Sequence, residues 1–202
     1  MGVNLKPDLE QFRIRSNAYF VRMDSSDPIP TGVFPIKNGS VEEGCITEGR
    51  HKILQFATIA NNIGDENLVI GRPEDRPDIY EEAQHMPNGW VTKEPLYKYT
   101  LTDESGQVVA TGSKRAWCIL DHSTFSCSNQ GISVGDHDEY GTDQNCQFLS
   151  LDGVSNGNYS IEVIINPTQV FAEDNHNDNK VIKKISIQGN IVRELPQEGT
   201  QV

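Results

Sequence analysis

Gly112-Ser-Lys114-Arg-Ala-Trp-Cys118-Ile-Leu-Asp121, then Cys127-Ser-Asn-Gln130-Gly131-Ile-Ser133, then Asp138-Glu-Tyr140-Gly-Thr-Asp143-Gln-Asn-Cys146-Gln147-Phe148, is the stretch on which the fold turns. It reads as a strand ending in a cysteine, a polar loop, and a second strand entered through another cysteine. Just before it, Leu96–Thr102 places Tyr97, Tyr99 and Leu101 on one face, and Asp103-Glu-Ser-Gly106 makes a hairpin to Gln107–Thr111. Just after it, Asn156-Gly157 is a type I′ turn signal leading into a strand whose Tyr159, Ile161, Val163 and Ile165 point inward. Lys180–Ile187 is the closing strand.

Further upstream, Lys6-Pro7-Asp8-Leu9 opens a strand over Phe12–Val21, and residues 24–50 form a long irregular loop with Cys45 near its end. Lys52–Ala60 is apolar and β-branched, a buried strand that Asn61-Asn62 stops. Ile63–Gly71 is expected to turn and pair back on it. Residues 71–95 carry Pro73, Pro77, Pro87 and Pro95 and are expected to form an exposed loop. There is no internal repeat and no helix longer than a turn or two. The pattern predicts an all-β, single-domain β-sandwich of immunoglobulin-like type with long irregular loops, spanning 1–193, with a polar tail over 194–202.

With 202 residues the chain can bury a full core, and its net charge of −12 comes from 29 acids against 17 bases. That charge argues against nucleic acid or an anionic membrane as a partner, since both need a cationic face. No apolar run is long enough to span a bilayer, and Met1–Pro7 lacks the apolar centre of a secretory signal. The expected setting is soluble or within an extracellular or virion assembly. The sequence has no Gly-x-Ser-x-Gly, no His-Glu-x-x-His and no phosphate loop. Four cysteines without a Cys-x-x-Cys are too few for a disulfide scaffold.

Residues 112–148 resemble the catalytic domain of the lysyl oxidase family. That family carries a Gly-x-Lys-x-x-Phe-Cys-Leu-x-Asp strand, a Gln-Gly-Ile/Leu-Ser turn, and a Tyr six residues before Cys-Gln-Trp. The resemblance runs from Pro7 to about Ile187 and implies a lysyl-oxidase-like sandwich. It places Lys114 and Tyr140 on the two positions that form the family's lysine-tyrosyl quinone, and it implies a Cys118–Cys127 disulfide. Cys45 then either pairs with Cys146 or stays free.

The family binds copper through His-x-His-x-His, because imidazoles at alternate strand positions face one side together. Here that region is Gln84-His85-Met-Pro87-Asn88-Gly89-Trp90-Val91-Thr92-Lys93, so the ligand positions hold Asn88, Trp90 and Thr92, or Pro87, Gly89 and Val91. His85 is alone, and His51, His122, His137 and His176 are scattered. Copper and the quinone are therefore not expected, leaving a plain Lys114 with a solvated head and a plain Tyr140 packed in a loop.

The family's calcium loop matches Glu173-Asp-Asn175-His-Asn-Asp178-Asn179. With Asp8 and the Leu9 carbonyl, the resemblance implies Glu173, Asn175, Asp178 and Asn179 as calcium ligands. The expected role is a non-catalytic structural or interaction subunit of a larger assembly, such as a virion or surface structure, with protein partners and calcium stabilisation. If the chain is active, it is a copper amine oxidase of lysyl oxidase type; the remaining alternative is a calcium-dependent adhesion module.

Overall fold

The apolar run Ile53–Ala60 is buried on both faces, and it becomes the centre of a strand that runs the full length of Gly49–Asn62. The computed structural model describes residues 2–7, 13–14, 19–23, 39–83, 86–121 and 123–196. Before the long strand come β1 (Leu5–Pro7), β2 (Arg13–Ile14), β3 (Tyr19–Met23) and the single helical turn α1 (Gly39–Glu42); the long strand itself is β4. After it come β5 (Leu68–Gly71), β6 (Tyr80–Glu82), β7 (Trp90–Thr92), β8 (Tyr97–Asp103) and β9 (Val108–Lys114). The remainder is β10 (Gln130–Ile132), β11 (His137–Tyr140), β12 (Phe148–Ser150), β13 (Gly157–Ile165), β14 (Lys180–Gln188) and β15 (Ile191–Glu194).

Two main sheets follow. In one, β4 is the spine: β1 and β11 flank its C-terminal end on opposite edges, and β3 and β12 flank its N-terminal half. The other has the antiparallel order β15-β14-β13-β8-β9. Leu54, Phe56 and Ala60 of β4 meet Tyr97, Tyr99, Leu101, Ile161 and Val163 of the second sheet in one core. Phe56 and Tyr99 touch edge-on, with ring centroids 4.7 Å apart. The all-β sandwich expected from the alternating patterns is the fold observed. Gly112 marks where β9 closes on β12, since an added Cβ would stand 3.1 Å from the Phe148 carbonyl. Among the described residues, no helix is long and apolar enough to cross a membrane.

Several local expectations are corrected. The strand does end at Asn61-Asn62, though both residues still belong to it: Asn62 is buried, and its amide donates to the Glu66 and Ile132 carbonyls, satisfying the turn from inside. β5 does not pair back on β4, because β1 and β11 already hold both edges there; it pairs with β10. Residues 71–95 are not an exposed loop. They hold a 3-10 turn at Pro73–Asp75 and the β6–β7 hairpin, with Ile79, Tyr80, Met86 and Val91 buried. Asn156-Gly157 is not a type I′ turn, since neither residue has positive φ; Gly153 (φ 75°) turns the chain as it crosses between sheets. Cys118 is not in a strand, because β9 ends at Lys114 and only an isolated bridge links Leu120 to Gly131.

The disulfides are Cys118–Cys127, as the resemblance implies, and Cys45–Cys146, which resolves the open alternative. The loop expected at 24–50 is described only from residue 39, and residues 197–202 of the tail lie outside the described residues.

Gly131 is the tightest point between β5 and β10: an added Cβ would sit 2.3 Å from the Leu68 carbonyl and 2.6 Å from the Phe125 ring. Gly131→Ala is predicted to cost about 2–3 kcal/mol, because backbone must shift. A lowered urea midpoint with an unchanged slope checks it; a midpoint equal to wild type refutes it.

Candidate functional site

Lys114 ends β9 opposite Tyr97, and Tyr140 ends β11 opposite Thr58, so the two sheets deliver them to one compartment. The Lys114 Nζ stands 5.7 Å from the centre of the Tyr140 ring and donates to the Arg115 carbonyl at 2.6 Å. Tyr97 closes the third side, its ring centroid 5.5 Å from that of Tyr140. Lys114 is 0% exposed and Tyr140 1%. This corrects the expectation of a solvated lysine head and a loop tyrosine: the lysine is inside the core and the tyrosine is on a strand. Register, not composition, decides it, since β9 must turn Lys114 inward at the closing edge.

Asp138 was missed by sequence reasoning. It lies two residues before Tyr140 on β11, whose exposure alternates, so both side chains face inward. Asp138 is buried, and its Oδ2 finds no hydrogen-bond partner. Burial pushes the Asp138 carboxyl up to about 8 and the Lys114 amine down to about 8. Burial also raises the Tyr140 phenol, whose hydroxyl donates to the Cys118 carbonyl at 3.1 Å. Burial thus favours the protonated, neutral Asp138 carboxyl at neutral pH and weakens, without removing, the charge on Lys114.

The irregular segment between Lys114 and β10 is held by two side chains. Gln130 Oε1 accepts from the Tyr80 hydroxyl (2.6 Å) and the Ile119 amide (2.8 Å), while its Nε2 donates to the Trp117 and Cys127 carbonyls. Asp121 accepts from the backbone amides of Ser123, Thr124, Phe125 and Ser133. Burial alone would raise the Asp121 pKa; those hydrogen bonds outweigh it and hold the carboxyl well below the usual range. The Asp and Gln of the sequence motifs are therefore positioning residues for the Lys114–Tyr140 compartment.

At the positions that correspond to copper ligands, the side chains are already committed. Asn88 donates to the Trp117 carbonyl and accepts from the Trp90 amide, and Thr92 Oγ1 donates to Glu94 and accepts from the Ala116 amide. Trp90 packs on the core. Pro87, Gly89 and Val91 offer no side-chain donor atom. The described histidines are apart: His51 bonds Asp152, His137 adjoins Asp136, and His176 adjoins Glu173. His85 and His122 lie outside the described residues. Among the described residues, a cluster with ligand spacing is Glu43 with Cys45 and Cys146, whose sulfurs are spent in a disulfide. This donor set does not fit a copper centre.

The acidic loop is drawn onto β1. The buried Glu173 carboxylate accepts from the Leu5 amide (2.6 Å) and from the side-chain amides of Asn166 (2.5 Å) and Asn179 (2.8 Å). Asn4 donates to Asp178. Asn4 Oδ1, Asp178 Oδ1 and Asn179 Oδ1 are buried without a hydrogen-bond partner. Asn175 instead accepts from Asn177. Asp8 and Leu9 lie outside the described residues. Three orphaned oxygens on one loop and its docking strand suit a hard cation.

The family model described as Lysyl oxidase matches residues 37–195. Protein-lysine 6-oxidase of Rattus norvegicus is 27% identical over 170 residues, covering 74% of this chain and 40% of that protein. The Sus scrofa enzyme of the same name is 27% identical, with 74% of this chain and 67% of that protein covered. Lysyl oxidase homolog 3A of Danio rerio is 29% identical over 161 residues, covering 69% of this chain and 21% of that protein. The chain thus spans about two fifths of the length of the rat relative it matches.

Asp121 has a folded pKa below its unfolded one, so its contribution is complete above the unfolded value of about 4 and is lost as pH falls below that. Asp121→Asn is predicted to destabilise the protein by about 2 kcal/mol at pH 7, with the difference shrinking below pH ~4. Paired urea melts across pH check this; a difference that persists unchanged at low pH refutes it.

Proposed function

The chain belongs to the lysyl oxidase family, and from that premise we propose that it is a non-catalytic member, a structural or interaction subunit of a larger assembly such as a virion or surface structure. One observation carries the reading: where the family places three imidazoles, this chain has Asn88, Trp90 and Thr92, their polar groups turned to backbone or core, or Pro87, Gly89 and Val91 with nothing to offer. The closure of the compartment supports it. A substrate amine must reach a quinone carbonyl, and Lys114 and Tyr140 are sealed behind Tyr97.

Protein contact is supported by exposed apolar side chains at neighbouring places. Val69 is 65% exposed and Ile63 50%, and Val134 is 47% exposed on the loop whose amide bonds Asn67. The test is elemental analysis with a peroxide assay after copper loading. The expected result is sub-stoichiometric copper and no amine-dependent peroxide. One copper per chain, with peroxide release abolished by Lys114→Ala, would establish the rival amine oxidase instead.

A second reading, calcium stabilisation, is favoured by the orphaned oxygens of Asn4, Asp178 and Asn179. Asp178 and Asn179 would hold the ion, with Glu173 supplying the charge and Asn4 the link to β1. Calcium at about 100 times its Kd is predicted to stabilise the fold by about 2.7 kcal/mol. A melting temperature unmoved by calcium or chelator, in wild type and Asp178→Asn alike, rejects this reading and the adhesion-module alternative with it.

A further inference from the structure

We infer that the chain assembles head to tail with copies of itself, the outer face of the five-stranded sheet of one copy seating on the loop end beside β5 of the next. The inference deepens the assembly role proposed above and rests on it. In β8, β13 and β14 every second residue turns away from the core. Strand register aligns Lys98, Ile164 and Lys180 in one row on that outer face, and Thr100, Glu162 and Ile182 in the next. Lys184 follows opposite Ser160, and Arg193 of β15 extends the face opposite Ser186. Four cations thus share it with one carboxylate, Glu162, which pairs with Lys180 at 3.4 Å. Ile182, 42% exposed, lies among them, and Glu104 bonds Asn158 at the corner. On a chain of net charge −12 this face is a local reversal of sign.

The complement is the loop end. Segments 63–67 and 133–136 lie side by side: the Val134 amide donates to Asn67 Oδ1, and the Gly135 amide to the Asn62 carbonyl. Asp65 accepts from the Gly2 amide at 2.6 Å, and a Cβ added at Gly2 would stand 2.5 Å from Asp174 Oδ1. Asp65, Glu66, Asp136 and Asp174 therefore gather beside the exposed Ile63, Val69 and Val134, with Lys6 and His137 at the border opposite Asn61. Both surfaces carry exposed apolar side chains, and their rims are opposite in sign. Because they stand at different places on the molecule, their contact is heterologous and leaves every assembly with one unused surface of each kind at its ends. At physiological ionic strength a charge is felt over only about 8 Å, so paired rims outweigh the repulsion between two anionic copies. A nucleic acid or anionic membrane would meet Ile182 and Glu162 within the face and an acidic bulk around it. A second copy offers carboxylates and apolar side chains together, which is what this face fits.

The test is the mass of the purified full chain in solution, by light scattering after size exclusion at physiological salt. The wild type is expected to exceed a dimer. Lys98→Glu with Arg193→Glu disables the basic face, and Glu66→Lys with Val69→Lys disables the acidic end; all four side chains are exposed, and circular dichroism with the melting temperature checks the fold. Each double variant alone is expected to be monomeric. An equimolar mixture of the two is expected to form a one-to-one dimer and stop there, since the surfaces left at its ends are the disabled ones. Lys98→Gln and Glu66→Gln, milder changes, are expected to lower the mean mass where a charge reversal unsettles the fold. A wild-type chain that stays monomeric or stops at a dimer, whether or not it binds heparin as a polyanion probe, overturns the inference. So does a double variant that self-associates alone, or a mixture that forms no dimer. A monomeric wild type without copper or peroxide release sinks this contact and leaves the non-catalytic role standing; peroxide from an intact assembly does the reverse.

Discussion

The side-chain amide of Gln130 satisfies four partners at once, and the rest of the interior depends on it. Between Lys114 and β10 the chain leaves regular pairing while remaining buried, so its peptide groups cannot rely on a ladder. Gln130 answers for Ile119, Trp117 and Cys127, and Asp121 for the amides of Ser123, Thr124, Phe125 and, beyond β10, Ser133; the Cys118–Cys127 disulfide closes the same loop. With those groups paired, the Cys118 carbonyl can face inward and receive the Tyr140 hydroxyl. The Lys114–Tyr140 geometry is thus a consequence of how an irregular segment meets its hydrogen-bond needs.

Among the described residues, the compartment is built with no cluster of copper ligands beside it. The packing around Lys114, Tyr140 and Asp138 is part of the sandwich core and is maintained by stability. β7, where the positions that correspond to copper ligands fall, is short and lies in its own two-stranded sheet with β6. Thr92 anchors that strand: its hydroxyl accepts from the Ala116 amide and ties β7 to the segment after β9.

The strands β8, β13 and β14 were legible because alternation over seven to nine residues survives any local noise. The Cys118–Cys127 bridge was legible through motif resemblance. The β6–β7 hairpin was not, since three-residue strands are too short to show a period and Pro87 obscured them. The partner of β5 lay more than fifty residues away and left no local mark. Burial of Lys114 was hidden because Gly112-Ser-Lys looks like a solvated strand end; only the closing of β9 on β12 makes the site interior. Asp138 was within reach, being in phase with Tyr140 on one strand.

β4 takes neighbours from both directions along the chain, from Leu5 at one extreme to Ser150 at the other, with Cys45 tied across to Cys146. No contiguous half of the polypeptide can therefore complete its own hydrophobic layer. Such non-local wiring places a sandwich among the slow folders, in the range of about milliseconds to seconds. During synthesis the early strands must wait, edges bare, until the residues of β12 have emerged, and this interval is when the chain most needs protection from its neighbours.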